Sequence, residues 1–272
     1  DVCSSRSRVL ARDEYERFAA LFGELEEGYR LNTGKAIAPE QAAAKRIVPL
    51  LNEDFHDWSA AYTAKPFNFI HCDFPYGIGL DKSDQAAGAG FGIYNDSPDV
   101  YWHLLACLRD AMGNVVADSA HLMFWFSMDY YAETKLLLEK MGWRVNAFPL
   151  IWIKSDNTGI LPDAKRGPRR IYETCFHASR GDRPVIQPVS NAFSAPGREK
   201  SIHMNEKPVA MLKHFMRMFC DAYSTVLDPT AGSANALKAA TALGAPTVLG
   251  LEKDPEFFAR STEAYYGEID DL

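Results

Sequence analysis

From about residue 46 onward, short apolar runs alternate along the chain with stretches of helical period. The runs Ile47–Leu51, Phe67–Cys72, His121–Phe126, Phe148–Ile153, Tyr172–Ala178, Thr225–Asp228 and Thr247–Leu251 are strand-length and predict β-strands. Between several of them, apolar residues recur every three or four positions over Val100–Met112, Tyr130–Lys140, Val209–Cys220 and Ala236–Leu243, which predicts helices. Strands that alternate with helices predict an α/β domain: a mostly parallel sheet with helices on both faces. Residues 1–45 have a different texture. Leu10, Tyr15, Phe18, Leu21, Phe22 and Leu25 give an apolar helical face, and Asn32-Thr33-Gly34 interrupts it. This stretch is expected to be an N-terminal helical extension, with the main domain at 46–272.

Sheets of this kind bind ligands at the carboxyl ends of their strands, where the strand order switches direction. The segments after the strands therefore carry the functional signal. Gly77–Asp99 is rich in Gly, Ala, Ser and Asp and follows a strand directly, whereas Ser155–Arg170 and Pro184–Ile202 are rich in Pro, Gly and Arg. Loops of this length inside a domain are often functional. The net charge of −7 argues against a protein that coats nucleic acid indiscriminately. The charge is uneven, however: Lys154–Lys200 holds nine basic and five acidic residues. A local basic surface on an acidic body suits a protein that docks an anion in one place.

Two further features narrow the class. The five cysteines, at 3, 72, 107, 175 and 220, lack zinc or redox spacing, and the seven histidines are scattered, so free thiols and no metal are expected. No apolar run approaches the roughly 18 residues that span a bilayer, and no secretory signal is evident. A cytoplasmic protein without membrane association is expected, and Asp at position 1 suggests a trimmed chain.

Chemistry gathers at two strand ends. The first reads His71-Cys72-Asp73-Phe74-Pro75-Tyr76-Gly77. Pro75 restrains Phe74 to an extended conformation, which keeps the Phe74 carbonyl out of any helix. A carboxylate, a fixed carbonyl and an aromatic face then lie close together. A planar base with an exocyclic amine offers two N–H donors and a π surface to match them. The second end reads Val226-Leu227-Asp228-Pro229-Thr230-Ala231-Gly232-Ser233-Ala234-Asn235, followed by a helix and then a strand closed by Glu252. Small residues let a ligand approach the backbone, and an acid closing the neighbouring strand is placed to accept hydrogen bonds from a ribose diol.

Together these residues resemble a known family. Asp73-Phe74-Pro75-Tyr76 is similar to the Asp-Pro-Pro-Tyr motif of amino-group DNA methyltransferases. His203-Met-Asn-Glu-Lys207-Pro208, a helix, and Asp228-Pro-Thr-Ala-Gly232-Ser233 resemble their cofactor motifs. The catalytic motif precedes the glycine motif, an order that resembles the permuted beta class of bacterial and phage enzymes. The resemblance spans roughly 46–265 and implies a Rossmann-like S-adenosylmethionine-dependent methyltransferase fold. It implies that Asp73 and the Phe74 carbonyl accept hydrogen bonds from the target amine, with Pro75 and Tyr76 completing the catalytic turn and Tyr76 stacking on a flipped base. It also implies that Asp228, Thr230, Gly232 and Ser233 surround the methionine part of S-adenosylmethionine. Glu252 would bind its ribose, Asp54 would border its adenine, and Asp73 and Lys207, the latter on the family's Lys-Pro, would also contact the cofactor.

The departures are Phe74 for the first Pro, Thr230 for the usual Phe, and Ala234-Asn235 for Gly-Thr. If position 234 requires positive φ, alanine there costs about 1 kcal/mol or more. Asp as the first residue of the catalytic motif resembles adenine-N6 enzymes more than cytosine-N4 ones. The resemblance thus implies DNA as partner, the Lys154–Lys200 segment as DNA contact and the Gly77–Asp99 loop, with Phe91 and Tyr94, as a lid over the base. Cytosine N4, an RNA amine and a catalytically silent binding module are the alternatives. The sequence leaves open a homodimer, a restriction nuclease partner and the recognition site.

Overall fold

Phe69, Ile70, His71 and Cys72 are all buried, although alternate residues of a strand point to opposite faces. Strand β2 (Phe67–Cys72) must therefore be covered on both sides, and two core clusters show how. On one face Ile70 and Cys72 pack with Leu122, Phe124 and Phe126 of β3 (Val116–Phe126). That face is covered by α1 (Phe55–Ala61), α2 (Pro98–Asp110) and α3 (Tyr131–Lys140). On the other face Phe69 packs with Met123 and Trp125 beneath α4 (Val209–Met216) and α5 (Asn235–Ala242). The computed structural model describes residues 50–79, 95–162, 167–197 and 206–270, with side chains as far as Tyr265. The expected N-terminal extension at 1–45 lies outside these residues.

The remaining strands are β1 (Leu50–Leu51), β4 (Arg144–Val145), β5 (Leu150–Lys154), β6 (Tyr172–Arg180), β7 (Ala192–Ala195), β8 (Thr225–Asp228) and β9 (Thr247–Leu251). The described strands form one sheet in the order β1-β9-β8-β2-β3-β6-β5-β7, with β4 paired to β6. Pairing is parallel from β1 through β3 and between β5 and β7, while β6 runs antiparallel to β3, β4 and β5. The expected α/β sheet with helices on both faces is present, and β6 is its antiparallel element. From β2 the chain moves one way to β3. It later re-enters on the other side with β8 and β9, so the order switches between β2 and β8. Asp73 and Asp228 close these two adjacent strands.

Helix α2 shows how local sequence sets an element. Ser97 caps its amino end by accepting from the Val100 N–H, and Pro98 occupies the first turn. Tyr101, Leu104, Leu105 and Leu108 then form one buried stripe. The pattern over Val209–Cys220 extends past the end of α4 at Met216. Met218, Phe219 and Cys220 remain buried, but the backbone has tightened there, with Met218 N–H bonding to Phe215 O and Phe219 N–H to Met216 O. Helix α6 (Pro255–Asp270) follows β9. No helix among the described residues is long and apolar enough to cross a membrane. Cys72, Cys107, Cys175 and Cys220 are free and buried.

Candidate active site

A cavity of about 870 Å³ opens at the carboxyl ends of β2, β8 and β9. This lies near the upper end of the roughly 300–1,000 Å³ usual for small-molecule sites. Its lining includes all the candidate catalytic and cofactor-binding positions: Asp54, Asp73, Phe74, Pro75, Tyr76, Lys207, Asp228, Thr230, Gly232, Ser233 and Glu252. Residues 134 positions apart in sequence meet there: Lys207 Nζ donates to both Asp73 oxygens at 2.8 Å.

At the catalytic turn, the Phe74 side chain is buried edge-on against Phe124, with ring centroids 5.4 Å apart. That anchoring role suits a large apolar residue where the family motif has proline. The Phe74 carbonyl accepts no hydrogen bond among the described residues. The Tyr76 hydroxyl lies 2.8 Å from Glu173 Oε2 and 3.3 Å from Asp73 Oδ1. Burial first, and then the Glu173 and Asp73 charges, hold its pKa well above the ordinary tyrosine value, so it remains a donor. Lys207 also reaches Glu173 Oε2 at 3.1 Å, and Lys154 pairs with Glu173 Oε1 at 2.6 Å. Burial works against the Lys207 charge, but the Asp73 and Glu173 carboxylates outweigh it and raise its pKa above the ordinary lysine value. Asp73 Oδ1 thus accepts from Lys207 and Tyr76, whereas Oδ2 accepts from Lys207 alone among the described residues, which leaves it acceptor capacity to spare.

The second turn is built on a buried polar chain. Trp125 Nε1–H donates to His71 Nε2 at 3.0 Å, so that nitrogen carries no proton. His71 Nδ1–H therefore donates to Asp228 Oδ2, at 2.9 Å. The other Asp228 oxygen accepts from the Thr230 N–H at 3.1 Å, which shapes the turn. Thr230 Oγ1 donates to the Asp73 carbonyl at 3.3 Å, a link that the usual phenylalanine could not make. Asn235 Nδ2 donates to the Lys207 carbonyl at 3.0 Å, tying the start of α5 to the Lys-Pro segment. The three sequence motifs are thereby fastened to one another.

Gly232 has φ +51°, and a Cβ added there would meet nothing within 4 Å. Its N–H donates to Glu252 Oε2 at 3.1 Å, and Asp254 N–H donates to Glu252 Oε1 at 2.8 Å. Burial nevertheless raises the Glu252 pKa above its ordinary value. Ala234 adopts φ +60° and is fully buried, so the position does require the left-handed conformation foreseen as a cost. Asp54 caps α1 by accepting from the His56 N–H.

The Lys154–Lys200 segment divides in space. Lys154, Arg169 and Arg170 line the cavity, with Arg170 paired to Asp129 at 2.7 Å. Arg180 and Arg183 lie at the opposite end of the sheet, because β6 runs antiparallel to β3 and Arg180 pairs with Ala120 near the start of that strand. Lys165, Arg166, Arg198 and Lys200 lie outside the described residues, as do His203 and most of the expected lid, including Phe91 and Tyr94.

A sequence profile of the N6/N4 family, described as DNA methylase, matches residues 67–263. The chain belongs to this DNA methylase family. A search of curated proteins found no match. Among solved structures, the M1.HpyAVI complex with S-adenosylmethionine aligns with TM-score 0.60 at 17% identity, covering 80% of the methylase and 99% of that chain. The cytosine-N4-specific PvuII DNA methyltransferase aligns with TM-score 0.59 at 12% identity, covering 82% and 89%. A DNA modification methylase of Thermus thermophilus, described as putative and complexed with S-adenosyl-L-methionine, aligns with TM-score 0.58 at 16% identity, covering 83% and 96%. At these identities the likeness is one of fold.

The sequence reading did not single out Glu173, His71 or Trp125 as site residues of this methylase, and it named Lys154 only as one end of the basic DNA-contact segment. Glu173 carried one available signal, the only carboxylate in the strand-length run Tyr172–Ala178. His71 and Trp125 carried none, since both lie inside apolar strands where a buried polar group cannot be told from a packed one.

Proposed function

We propose that this methylase transfers a methyl group from S-adenosylmethionine to the exocyclic N6 amine of an adenine flipped out of DNA. The observation that carries this reading is the Asp73-Phe74-Pro75-Tyr76 turn: a carboxylate oxygen with a lone pair to spare, beside a carbonyl without a partner among the described residues. An exocyclic amine conjugated to a base is a poor nucleophile because its lone pair is delocalised. Asp73 Oδ2 and the Phe74 carbonyl can take its two N–H groups and favour a pyramidal nitrogen with an available lone pair. Tyr76 supplies the aromatic face for the base. Positioning and fixed electrostatics are effects of the size such a reaction needs.

The second turn fits the cofactor. The open space over Gly232 admits a ligand against the backbone, Glu252 offers carboxylate oxygens for the ribose hydroxyls, and Asp54 borders the adenine end. Asp228, engaged by His71 and the Thr230 N–H, acts chiefly by shaping the turn, with Thr230 and Ser233 beside the methionine part. When bound, S-adenosylmethionine supplies an electrophilic sulfonium methyl group. A base inside a duplex must leave the stack to reach Asp73, at a cost of a few kcal/mol. At the cavity, Arg169 supplies positive charge for the DNA backbone, while Lys154 and Arg170 are paired to Glu173 and Asp129.

Adenine is favoured by aspartate at the head of the catalytic turn. Cytosine N4 is the second reading, because the family includes both chemistries. Incubation with unmethylated DNA, digestion and mass analysis of the nucleosides separates them. N6-methyladenine is expected, and N4-methylcytosine would keep the mechanism and move the substrate.

A further inference from the structure

The catalytic acid does not stand alone. Lys154, Glu173, Lys207 and Asp73 form an alternating row of two ammonium and two carboxylate groups, closed by the Tyr76 hydroxyl. Glu173 sits near the amino end of β6, paired in register with Trp152 of β5. Lys154, two residues after Trp152, holds Glu173 Oε1 at 2.6 Å, and its ammonium lies 5.0 Å from the Trp152 ring centre. Glu173 Oε2 takes the Tyr76 hydroxyl at 2.8 Å and Lys207 at 3.1 Å. Both of these donors also face Asp73, Tyr76 at 3.3 Å and Lys207 at 2.8 Å. The two carboxylates therefore share the same two donors, and the shorter Tyr76 contact is the one to Glu173.

We infer that Glu173 is a positioning residue for methyl transfer: it draws Lys207 and the Tyr76 hydroxyl partly away from Asp73, keeping the Asp73 carboxylate open to the target amine. The reason is electrostatic. Lys207 is buried, so its charge is poorly screened and acts strongly on whatever carboxylate it meets. With Asp73 as sole partner, the ammonium would drain the acceptor strength that the amine needs. With Glu173 present, the charge is divided between two carboxylates. Lys154 in turn compensates Glu173 and fixes its orientation. The packing of β6 rests on the residues that follow, Thr174, Cys175 and Phe176, which are buried. This inference rests on the proposed amine methylation and names a residue through which that site works.

The test is a double-mutant cycle on the full chain. Glu173→Gln, Lys207→Met and the double variant are compared with wild type for single-turnover methyl transfer to unmethylated DNA, and for cofactor affinity by equilibrium dialysis. In Glu173→Gln the rate is expected to fall about 100-fold, the scale of an active-site misplacement of about 1 Å. Cofactor affinity should be retained, since Gly232 and Ser233 lie in the turn after β8 and Glu252 just past β9, away from β6, and that retention shows the variant is folded. In the Lys207→Met background the same Glu173→Gln change should cost clearly less, because the charged one of the two donors it restrains is gone and only the Tyr76 hydroxyl remains. An unchanged rate in Glu173→Gln, or an equal loss in both backgrounds, overturns the inference while leaving the methylation reading in place. A wild-type protein that labels no base overturns both.

Discussion

His71 sits between the indole N–H of Trp125 and the carboxylate of Asp228, and replacing it with leucine removes both contacts while nearly conserving volume. The Trp125 N–H would lose its acceptor in a dry site, at about 1–3 kcal/mol. The buried Asp228 carboxylate would lose one of its donors, and a hydrogen bond to a charged group contributes about 1.5–3 kcal/mol. His71→Leu should therefore lower stability by about 2.5–6 kcal/mol, a large part of the roughly 5–15 kcal/mol typical of a folded domain. Urea denaturation followed by circular dichroism measures this directly. His71→Asn is the control, because an amide N–H at the Nδ1 position restores the Asp228 contact and should recover roughly half the loss. The variants should also weaken cofactor binding in the same order, since Asp228 holds the Thr230 N–H that shapes the glycine turn. A loss below about 1 kcal/mol in His71→Leu, or an asparagine variant no better than the leucine one, would refute this account of the buried chain.

Three further outcomes are expected. Gly232→Ala should cost about 1 kcal/mol of stability from the left-handed backbone, but reduce cofactor affinity at least tenfold by dialysis, because the added methyl enters the space left for the ligand. Ala234→Gly should change stability by less than about 1 kcal/mol, since relief of the same strain is offset by about 0.8 kcal/mol for the lost buried methyl. Burial, and then the neighbouring His121, push the His177 pKa down to about 4. The unfolded chain therefore binds more protons than the folded one between about pH 4 and the ordinary histidine value of about 6.5. Stability should rise with pH across that window by roughly 3 kcal/mol in urea titrations, and His177→Gln should flatten the rise.

The sequence carried the site further than it carried the sheet. Thr225–Asp228 and Thr247–Leu251 were legible to the residue, because each is an apolar run closed by an acid and a turn. The edges of the sheet were less legible. Ala192–Ala195 forms strand β7 from four residues that include Ser194, too short and too mixed for a periodicity to register. Phe55–Ala61 forms α1 in a single pair of turns, pinned by the Asp54 cap rather than by an apolar stripe. The antiparallel course of β6 was hidden for a different reason. Tyr172–Ala178 reads as a buried strand in either direction, and only the fold decides which. That direction brings Glu173 to the cavity and carries Arg180 and Arg183 away from it, splitting a segment that composition alone treated as one basic surface.

The motif residues fared differently again. Asp73, Tyr76, Gly232 and Glu252 could be singled out because each follows a strand at a turn with recognisable chemistry. What could not be read was how they are joined. Lys207 was placed by resemblance beside the cofactor, but its bonds to Asp73 and Glu173 carried no sequence signal. Thr230 stood out as a departure and proves to donate to the Asp73 carbonyl. Pairings across 134 or 157 positions depend on strand order, which local patterning does not encode.

The central claim, that Asp73 and its turn present an amine for methylation, is tested most directly by radiolabelled S-adenosylmethionine and unmethylated DNA, with Asp73→Ala beside wild type. Cofactor binding is measured on both proteins. The account predicts label in N6-methyladenine for wild type, and a loss of at least about 100-fold in the variant with cofactor binding retained. Equal labelling by the two proteins would contradict it, as would a wild-type protein that binds the cofactor and labels no base.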